Sequence, residues 1–179
     1  NRTEMEKKNG IQLDSLADII IVDTGAGISD AVLEFLVASG EIVLITTPEP
    51  TSITDSYSLL KALSRHPRYQ AETTAIKMIA NRVSKEEEGQ ILYNKLNAVV
   101  SRYLKIPFVY LGSVPQDDKL QQAVMQQTPV SLQNPNAKAS IAYENIAGKL
   151  MDKEAISIKQ KRGMAAFFSH IISGRKSGE

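Results

Sequence analysis

The sequence contains no cysteine and only two histidines among its 179 residues. The absence of cysteine excludes disulfide bonds, thiolate zinc sites, iron–sulfur clusters ligated from this chain and cysteine nucleophiles. His66 and His170 are far apart, so a histidine-rich metal site is not expected. Long apolar runs are also missing, since no stretch approaches the roughly 20 apolar residues of a membrane-spanning helix. Residues 1–10 are too polar for a secretory signal, and the expected compartment is the cytoplasm.

Charge is unevenly divided along the chain, although the net charge is only +1. Residues 1–152 carry a net charge of −3, whereas residues 153–179 carry +4. A mildly acidic body with a basic tail indicates an anionic partner for the tail. Apolar residues make up 42% of the chain and charged residues 23%, a balance typical of one globular domain with a sizeable core.

The apolar pattern alternates between strands and helices. Strands are predicted at 18–23, 42–46, 75–80 and 108–114; helices are predicted at 28–39, 52–64, 85–104, from about 117, and at 136–151. Strands separated by single helices indicate right-handed crossovers and a parallel sheet with helices on both faces. Ligands bind at the carboxyl ends of such strands, so the loops that follow them are the candidate site.

The loop after the first predicted strand carries Asp23, Gly25 and Gly27. An aspartate at the tip of an apolar strand is suited to hold Mg²⁺ through water beside the phosphates of a nucleotide. The glycines would let the backbone approach a phosphate and donate an amide. The same residues are also common in an ordinary capped turn.

The three later loops are less specific. Ser52 followed by Asp55 fits a helix start with an acidic third position. The amide of Asn81 matches the edge of adenine, but asparagine after a strand is also a frequent turn residue. The segment 114–118 could bring backbone groups against a base, or Asp117 could simply cap the next helix.

Taken together and in this order, the loops resemble the MinD/ParA class of deviant-Walker P-loop ATPases. The segment DIIIVDTGAG at 18–27 is similar to the Walker B strand and second switch of that class, and TTPEPTS at 46–52 is similar to its post-strand motif. Asn81-Arg82 and Pro115-Gln116-Asp117 match its adenine-recognising positions. The residues of the first two motifs are most similar to those of the flagellar-number regulator branch, the FlhG/FleN/YlxH type. The resemblance covers about residues 16–151.

The resemblance implies a partial P-loop NTPase-type α/β fold, a parallel sheet flanked by helices, over residues 1–151. It implies ATP and Mg²⁺ as cofactors, an ATP-dependent homodimer and flagellar assembly proteins as partners. It assigns catalysis to Asp23 and Gly27, and Asp23 would also hold Mg²⁺ through water. It assigns nucleotide binding to Asn81, Arg82, Pro115, Gln116 and Asp117. It assigns dimer or partner contacts to Glu49, Thr51 and Asp55.

The sequence departs from that class in one large feature. It has no glycine-rich loop ending in Gly-Lys-Ser/Thr, which holds the phosphates in P-loop NTPases. The only Gly-Lys pair, Gly148-Lys149, precedes Leu150 in a helical pattern. The chain is therefore expected to be the C-terminal part of an ATPase whose phosphate loop lies upstream. Without that loop we expect these 179 residues to bind ATP weakly and to hydrolyse none.

The tail, residues 152–179, has a different character. Met164, Phe167, Phe168, Ile171 and Ile172 form one stripe at helical spacing, and the stretch from Lys159 to Lys176 contains basic but no acidic residues. This pattern is typical of an amphipathic helix lying in an anionic membrane interface, here the inner face of the cell membrane. A terminal helix docked on the body or on a partner would show a similar stripe.

Three functions are consistent with the sequence. The first is a spatial or numerical regulator of flagella that couples ATP-dependent dimerisation to reversible membrane binding. The second is a chromosome- or plasmid-partitioning or septum-site ATPase of the same class. The third, from another class, is a non-catalytic α/β binding module with a membrane tether. A nucleic-acid partner is not expected, because the body is net acidic and has no basic stripe with interleaved aromatics.

Overall fold

A computed structural model of the chain describes residues 17–151 and Ile171. The elements are α1 (Asp30–Ala38), β1 (Glu41–Thr46), α2 (Pro50–Arg65), β2 (Ala75–Val83), α3 (Glu86–Tyr103), β3 (Phe108–Pro115), α4 (Asp118–Met125), α5 (Val130–Gln133) and α6 (Lys138–Met151). The strands form one sheet in the order β1-β2-β3, and β2 and β3 are parallel. The predicted parallel sheet flanked by helices is thus confirmed. None of the helices described here is long and apolar enough to span a membrane.

The central strand is β2. Its first six residues, 75–80, are all buried, and Met78 has no exposed surface. A strand of a parallel sheet reaches this state when it has a hydrogen-bonded neighbour on each edge and helices over both faces. The two outer strands are less covered, and β1 alternates between exposed and buried residues.

The two faces of β3 are covered by different helices. Tyr110 stacks against Tyr93 of α3, with 5.5 Å between the ring centroids. Leu111, the next residue, lies in an apolar cluster with Ile146 of α6. Leu111 lies at a register shift, so the faces are assigned from β2, where Ile79 belongs to the same cluster and the next residue, Ala80, faces Gly89 of α3. Since successive side chains of a regular strand point to opposite faces, α3 and α6 pack on opposite sides of the sheet.

The crossing of α3 over the sheet is tight at Gly89. A Cβ at this position would overlap the hydroxyl oxygen of Tyr110 and would lie 2.9 Å from Cβ of Ser113 and 3.2 Å from Cβ of Ala80. Glycine lowers helix stability, so its presence inside α3 has a packing reason. It allows the helix to approach β2 and β3 closely.

The chain divides into two compact units, which we describe separately. Among the described residues, one unit holds 17–42, 61–75 and Ile171, and the other holds 43–60 and 76–151. In the first unit Ser29 caps α1 through the amide of Val32, at 3.4 Å. Glu34 of the same helix forms an ion pair with Arg68 and lies 3.5 Å from Nε2 of His66. The predicted domain boundary at residue 152 stays a prediction, because the tail lies outside the described residues.

The strand predicted at 18–23 is wrong. This segment has no regular secondary structure, and its apolar side chains are exposed, with Ile21 at 86% and Ile19 at 59%. A β-branched run becomes a buried strand only when other strands pair with its edges. Among the described residues, the sheet consists of β1, β2 and β3 alone.

Three further boundaries differ from the sequence prediction. Helix α2 begins at Pro50 rather than Ser52, because proline is favoured at the first helical position. Strand β2 continues through Asn81 and Arg82 to Val83, which is buried. The short helix α5 was not predicted, because four residues are too few to show helical periodicity.

The contact at Gly89 gives a test of the packing. Gly89→Ala should destabilise the chain by up to about 2 kcal/mol, because the overpacking cost of about 1–3 kcal/mol is only partly offset by the helix-propensity gain of about 1 kcal/mol. Gly148→Ala in α6 is the matched control, since nothing lies within 4 Å of its Cβ position, and it should be neutral or stabilising. Urea unfolding of both variants measures the difference; equal stability of the two would contradict the tight crossing.

Candidate functional site

The second unit carries the carboxyl ends of all three strands, where a parallel sheet binds its ligands. Three segments meet this edge: the loop after β1, the last residues of β2, and the junction between β3 and α4. Hydrogen bonds fix each of these segments in position.

The loop after β1 is closed by hydroxyl groups. Oγ of Ser52 accepts a hydrogen bond from the backbone amide of Thr47 at 3.0 Å and lies 3.1 Å from Oγ1 of Thr46. Ser52 therefore does not act as the cap of α2, as the sequence suggested, but ties the first turn of that helix back to the strand. Oγ1 of Thr47 is buried and has no hydrogen-bond partner among the described residues.

The end of β2 is irregular at two of the predicted nucleotide-binding residues. The pairing with β3 shifts register between Asn81 and Val83, and Arg82 has a φ of +55°. A non-glycine residue in this left-handed region costs free energy and is found more often at functional positions. Oδ1 of Asn81 accepts the amide of Arg82 at 2.9 Å, and no partner of its Nδ2 is found in the described part of the chain. The two donor hydrogens of that amide are thus available to a ligand.

Arg82 and Glu49 join the first two segments. Nη1 of Arg82 lies 3.3 Å from Oε1 of Glu49, and both side chains are 58% exposed. An exposed pair of this kind contributes at most about 1 kcal/mol to the stability of the fold. Its main effect is to orient the two side chains. The resemblance assigned Glu49 to dimer or partner contacts and Arg82 to nucleotide binding, whereas the structure brings the two side chains together.

Thr51 and Asp55, the other predicted partner-contact residues, are exposed near the start of α2. They are four residues apart in the helix and therefore lie on one face. No hydrogen bond or ion pair of either side chain is found among the described residues. They are available to a partner, and whether they contact one stays a prediction.

The junction between β3 and α4 is the most strongly fixed of the three segments. Pro115 ends β3 opposite Val83, and the amide of Gln116 donates to the carbonyl of Val83 at 2.9 Å. Asp117 caps α4 by accepting the amide of Lys119 at 2.8 Å. Its other carboxylate oxygen accepts the amide of Ala139, in the first turn of α6, at 3.0 Å.

These contacts favour the ionised form of Asp117. The hydrogen bond from the backbone of Ala139 is the largest influence that lowers the pKa of the Asp117 carboxyl below its usual value, and those from Lys119 and Leu120 act in the same direction. The sequence left open whether this residue caps a helix or serves a base. The capping function is confirmed. The contact with Ala139 could not have been anticipated, because the two residues are 22 positions apart and no local pattern joins them.

Asp23 and Gly27 belong to the first unit. Both are exposed, and Gly27 has a φ of +111°, a conformation that favours glycine. The described residues contain no group of three or more carboxylate or imidazole ligands. The assignment of Mg²⁺ to Asp23 stays a prediction.

The residues predicted to contact a membrane lie outside the described part of the chain, apart from Ile171. The structure places Ile171 in a helical conformation and leaves it partly exposed. The stripe and its basic flanks stay predictions.

Comparison with known proteins gives relatives of one class. The chain is 38% identical over 133 residues to the antiactivator FleN of Pseudomonas aeruginosa, which covers 74% of this chain and 46% of FleN. It is 33% identical over 162 residues to the flagellum site-determining protein YlxH of Helicobacter pylori, which covers 88% of this chain and 53% of YlxH. The chain thus spans about half the length of the curated relatives that it matches. No family model matches it.

Solved structures agree on the fold. A ParA family ATPase from Chlorobium tepidum superposes with a TM-score of 0.60 at 23% identity over 83% of this chain and 56% of that one. The septum site-determining protein MinD of Pyrococcus horikoshii, solved with Mg-ADP, gives 0.59 at 21% identity over 89% and 60% of the two chains. Its relatives FleN and YlxH and the fold that it shares with ParA and MinD show that this chain is homologous to part of the MinD/ParA class of P-loop ATPases.

Proposed function

We propose that the chain is part of a MinD-like ATPase that regulates the number or placement of flagella. The observation that carries this proposal is the 38% identity with the antiactivator FleN over 133 residues. A putative MinD of Oltmannsiellopsis viridis is 30% identical over 139 residues, which favours the flagellar branch over a septum-site function.

In this proposal, the base of ATP binds at the carboxyl edge of β2 and β3. Asn81 offers an unpaired amide, and residues 115–117 offer a backbone held in place by Val83 and by the two helix starts. An asparagine amide fits the donor and acceptor pattern of adenine. Arg82 lies beside this position and is oriented by Glu49.

Asp23 and Gly27 would serve the phosphate end of the nucleotide. The Asp23 carboxylate would orient Mg²⁺ through water, and the backbone amide of Gly27 would donate to the γ-phosphate. Mg²⁺ neutralises charge on the phosphates when it is bound. The sequence has no Gly-Lys-Ser/Thr loop, so we propose that a segment encoded outside these residues supplies that loop.

The exposed apolar side chains of residues 19–22 support the same proposal. Four adjacent β-branched side chains are between 38% and 86% exposed. A contiguous apolar strip of this kind indicates a surface that is covered in the working protein. Additional strands from the same ATPase would pair with this segment and convert it into the buried strand that its composition favours.

ATP hydrolysis tests the proposal. The 179-residue chain should show no measurable turnover, whereas the intact protein encoded by the gene should hydrolyse ATP in the presence of Mg²⁺. In the intact protein, Asp23→Asn should lower turnover on the order of 100-fold, because it removes the charge that orients the cation. Asp30→Asn, an exposed acidic residue at the start of α1, is the matched control and should retain turnover. Full activity of Asp23→Asn would exclude the proposed task of Asp23.

We further propose that the tail binds anionic membranes reversibly. The five side chains of the stripe could contribute at most about 7–15 kcal/mol if fully buried, and each basic residue near an anionic leaflet about 1 kcal/mol. Ordering the helix offsets a good part of this, so attachment is expected to be reversible. The intact protein would then act at the inner face of the cell membrane, with ATP-dependent dimerisation through the region of Glu49, Thr51 and Asp55.

Vesicle co-sedimentation tests the tail. The chain should sediment with phosphatidylglycerol vesicles and much less with phosphatidylcholine vesicles, because the attraction is partly electrostatic. Phe167→Glu/Phe168→Glu should abolish binding. Ala166→Glu/Ser173→Glu adds the same charge away from the stripe and should bind more strongly than the phenylalanine variant. If the two double variants sedimented equally, membrane binding through the stripe would be rejected.

The biological task is tested by deleting the gene in the organism that encodes it. Flagellar number or position, counted by electron microscopy, should change, and division septa should stay in place. A gene carrying Asp30→Asn should restore the normal count, and one carrying Asp23→Asn should not. Displaced septa with normal flagella would instead favour the septum-site alternative.

A further inference from the structure

The surface formed by α4, α5 and the residues that join and follow them, 120–137, carries no charge, and we call it the neutral surface. It contains no Asp, Glu, Lys or Arg and is the longest uncharged run in the sequence. Its side chains include Val124, Met125 and Leu132, which are 66%, 84% and 76% exposed. Exposed surface usually carries many charged side chains, whereas the core of a protein interface is depleted of charge and enriched in methionine. The neutral surface therefore has the composition of an interface.

Contacts within the neutral surface hold it in one shape. Ala123 of α4 packs with Val130 of α5 and with Ala137, and the three residues form a small core of their own. On the outside, Nε2 of Gln133 donates to Oε1 of Gln126, which joins the two helices. A surface that is ordered before a partner arrives loses less conformational entropy when the partner binds.

Gln127 directly follows the C-cap of α4 and has a φ of +52°. The left-handed conformation is common at this position, and glycine is the residue that adopts it without strain. The side chain of Gln127 is exposed, so no packing in the fold requires a glutamine here. A residue kept in a strained conformation, where glycine would be more stable, indicates a use for its side chain.

We propose that the neutral surface, with Gln127 among its contact residues, is an interface through which two copies of this protein associate. An uncharged surface meets its own copy without like-charge repulsion, whereas residues 1–152 as a whole carry a net charge of −3. The amide of a glutamine both donates and accepts, so exposed glutamines such as Gln121 and Gln122 can satisfy identical side chains across a two-fold axis.

This contact is separate from the ATP-dependent one proposed through Glu49, Thr51 and Asp55, and it needs no nucleotide. It stands whether or not the protein regulates flagella. A protein with both contacts would link its ATP-dependent dimers into larger assemblies, because each copy would hold one partner at each interface.

Sedimentation equilibrium of the intact protein without nucleotide tests the association. Every sample carries Phe167→Glu/Phe168→Glu, so that the apolar stripe of the tail does not contribute. This parent protein should form dimers. Met125→Lys should raise the dissociation constant by at least about tenfold, because it brings like charges together at the interface. Ile91→Lys is the matched control, since Ile91 is an exposed apolar residue of α3 outside the neutral surface, and it should dimerise like the parent.

Two further measurements separate the interface from other causes. Added salt should leave the dimer intact, because screening acts only on charges. Gln127→Gly should raise the urea midpoint, since glycine removes the backbone strain, and should weaken dimerisation, since the amide is lost. Opposite changes in stability and association cannot come from damage to the fold.

The outcomes decide the proposal. A parent protein that is monomeric, or a dimer that salt dissociates, would overturn it. Equal dimerisation of the parent and of folded Met125→Lys would do the same, with Leu132→Lys deciding by the same criterion if Met125→Lys does not fold. Unchanged dimerisation of the stabilised Gln127→Gly protein would overturn the contact at Gln127. A surface that serves an unlike partner protein would leave the parent monomeric.

Discussion

The burial of β2 between two neighbouring strands and two layers of helix is the constraint on which the rest of this structure depends. Six consecutive buried residues fix the strand in place, and Gly89 lets α3 approach it closely. The strand can then end in an irregular way without loss of the fold. Asn81 still pairs with Val114, Arg82 leaves the regular pairing, and Val83 is buried and pairs with Pro115.

The candidate site is built from contacts between segments that are distant in sequence. Glu49 reaches Arg82 from the loop after β1, Gln116 binds the carbonyl of Val83, and Asp117 reaches the start of α6. Each contact alone contributes little free energy. Together they orient polar groups at the carboxyl edge of the sheet, where open parallel sheets bind their ligands.

Much of the fold could be predicted because its signals are local. The predicted helices 28–39, 85–104 and 136–151 agree with the structure within about two residues. Their signals are the apolar periodicity and the residues that start and stop a helix, and all of these are close together in the sequence. The strand at 18–23 could not be decided in this way. Its β-branched composition is real, but whether such a run pairs depends on neighbouring strands, and in the described residues it stays exposed and irregular.

By itself, the sequence determined the alternation of strands and helices after residue 28 and the family that the chain resembles, and it offered Asp117 as one possible cap of α4. These features depend on neighbouring residues or on motifs of a few positions. Only the tertiary structure decided that Arg82 adopts a positive φ and pairs with Glu49, that Ser52 closes the loop after β1, and that Asp117 bonds Ala139. These contacts are set by distance in space after the sheet has formed, and no spacing along the chain encodes them.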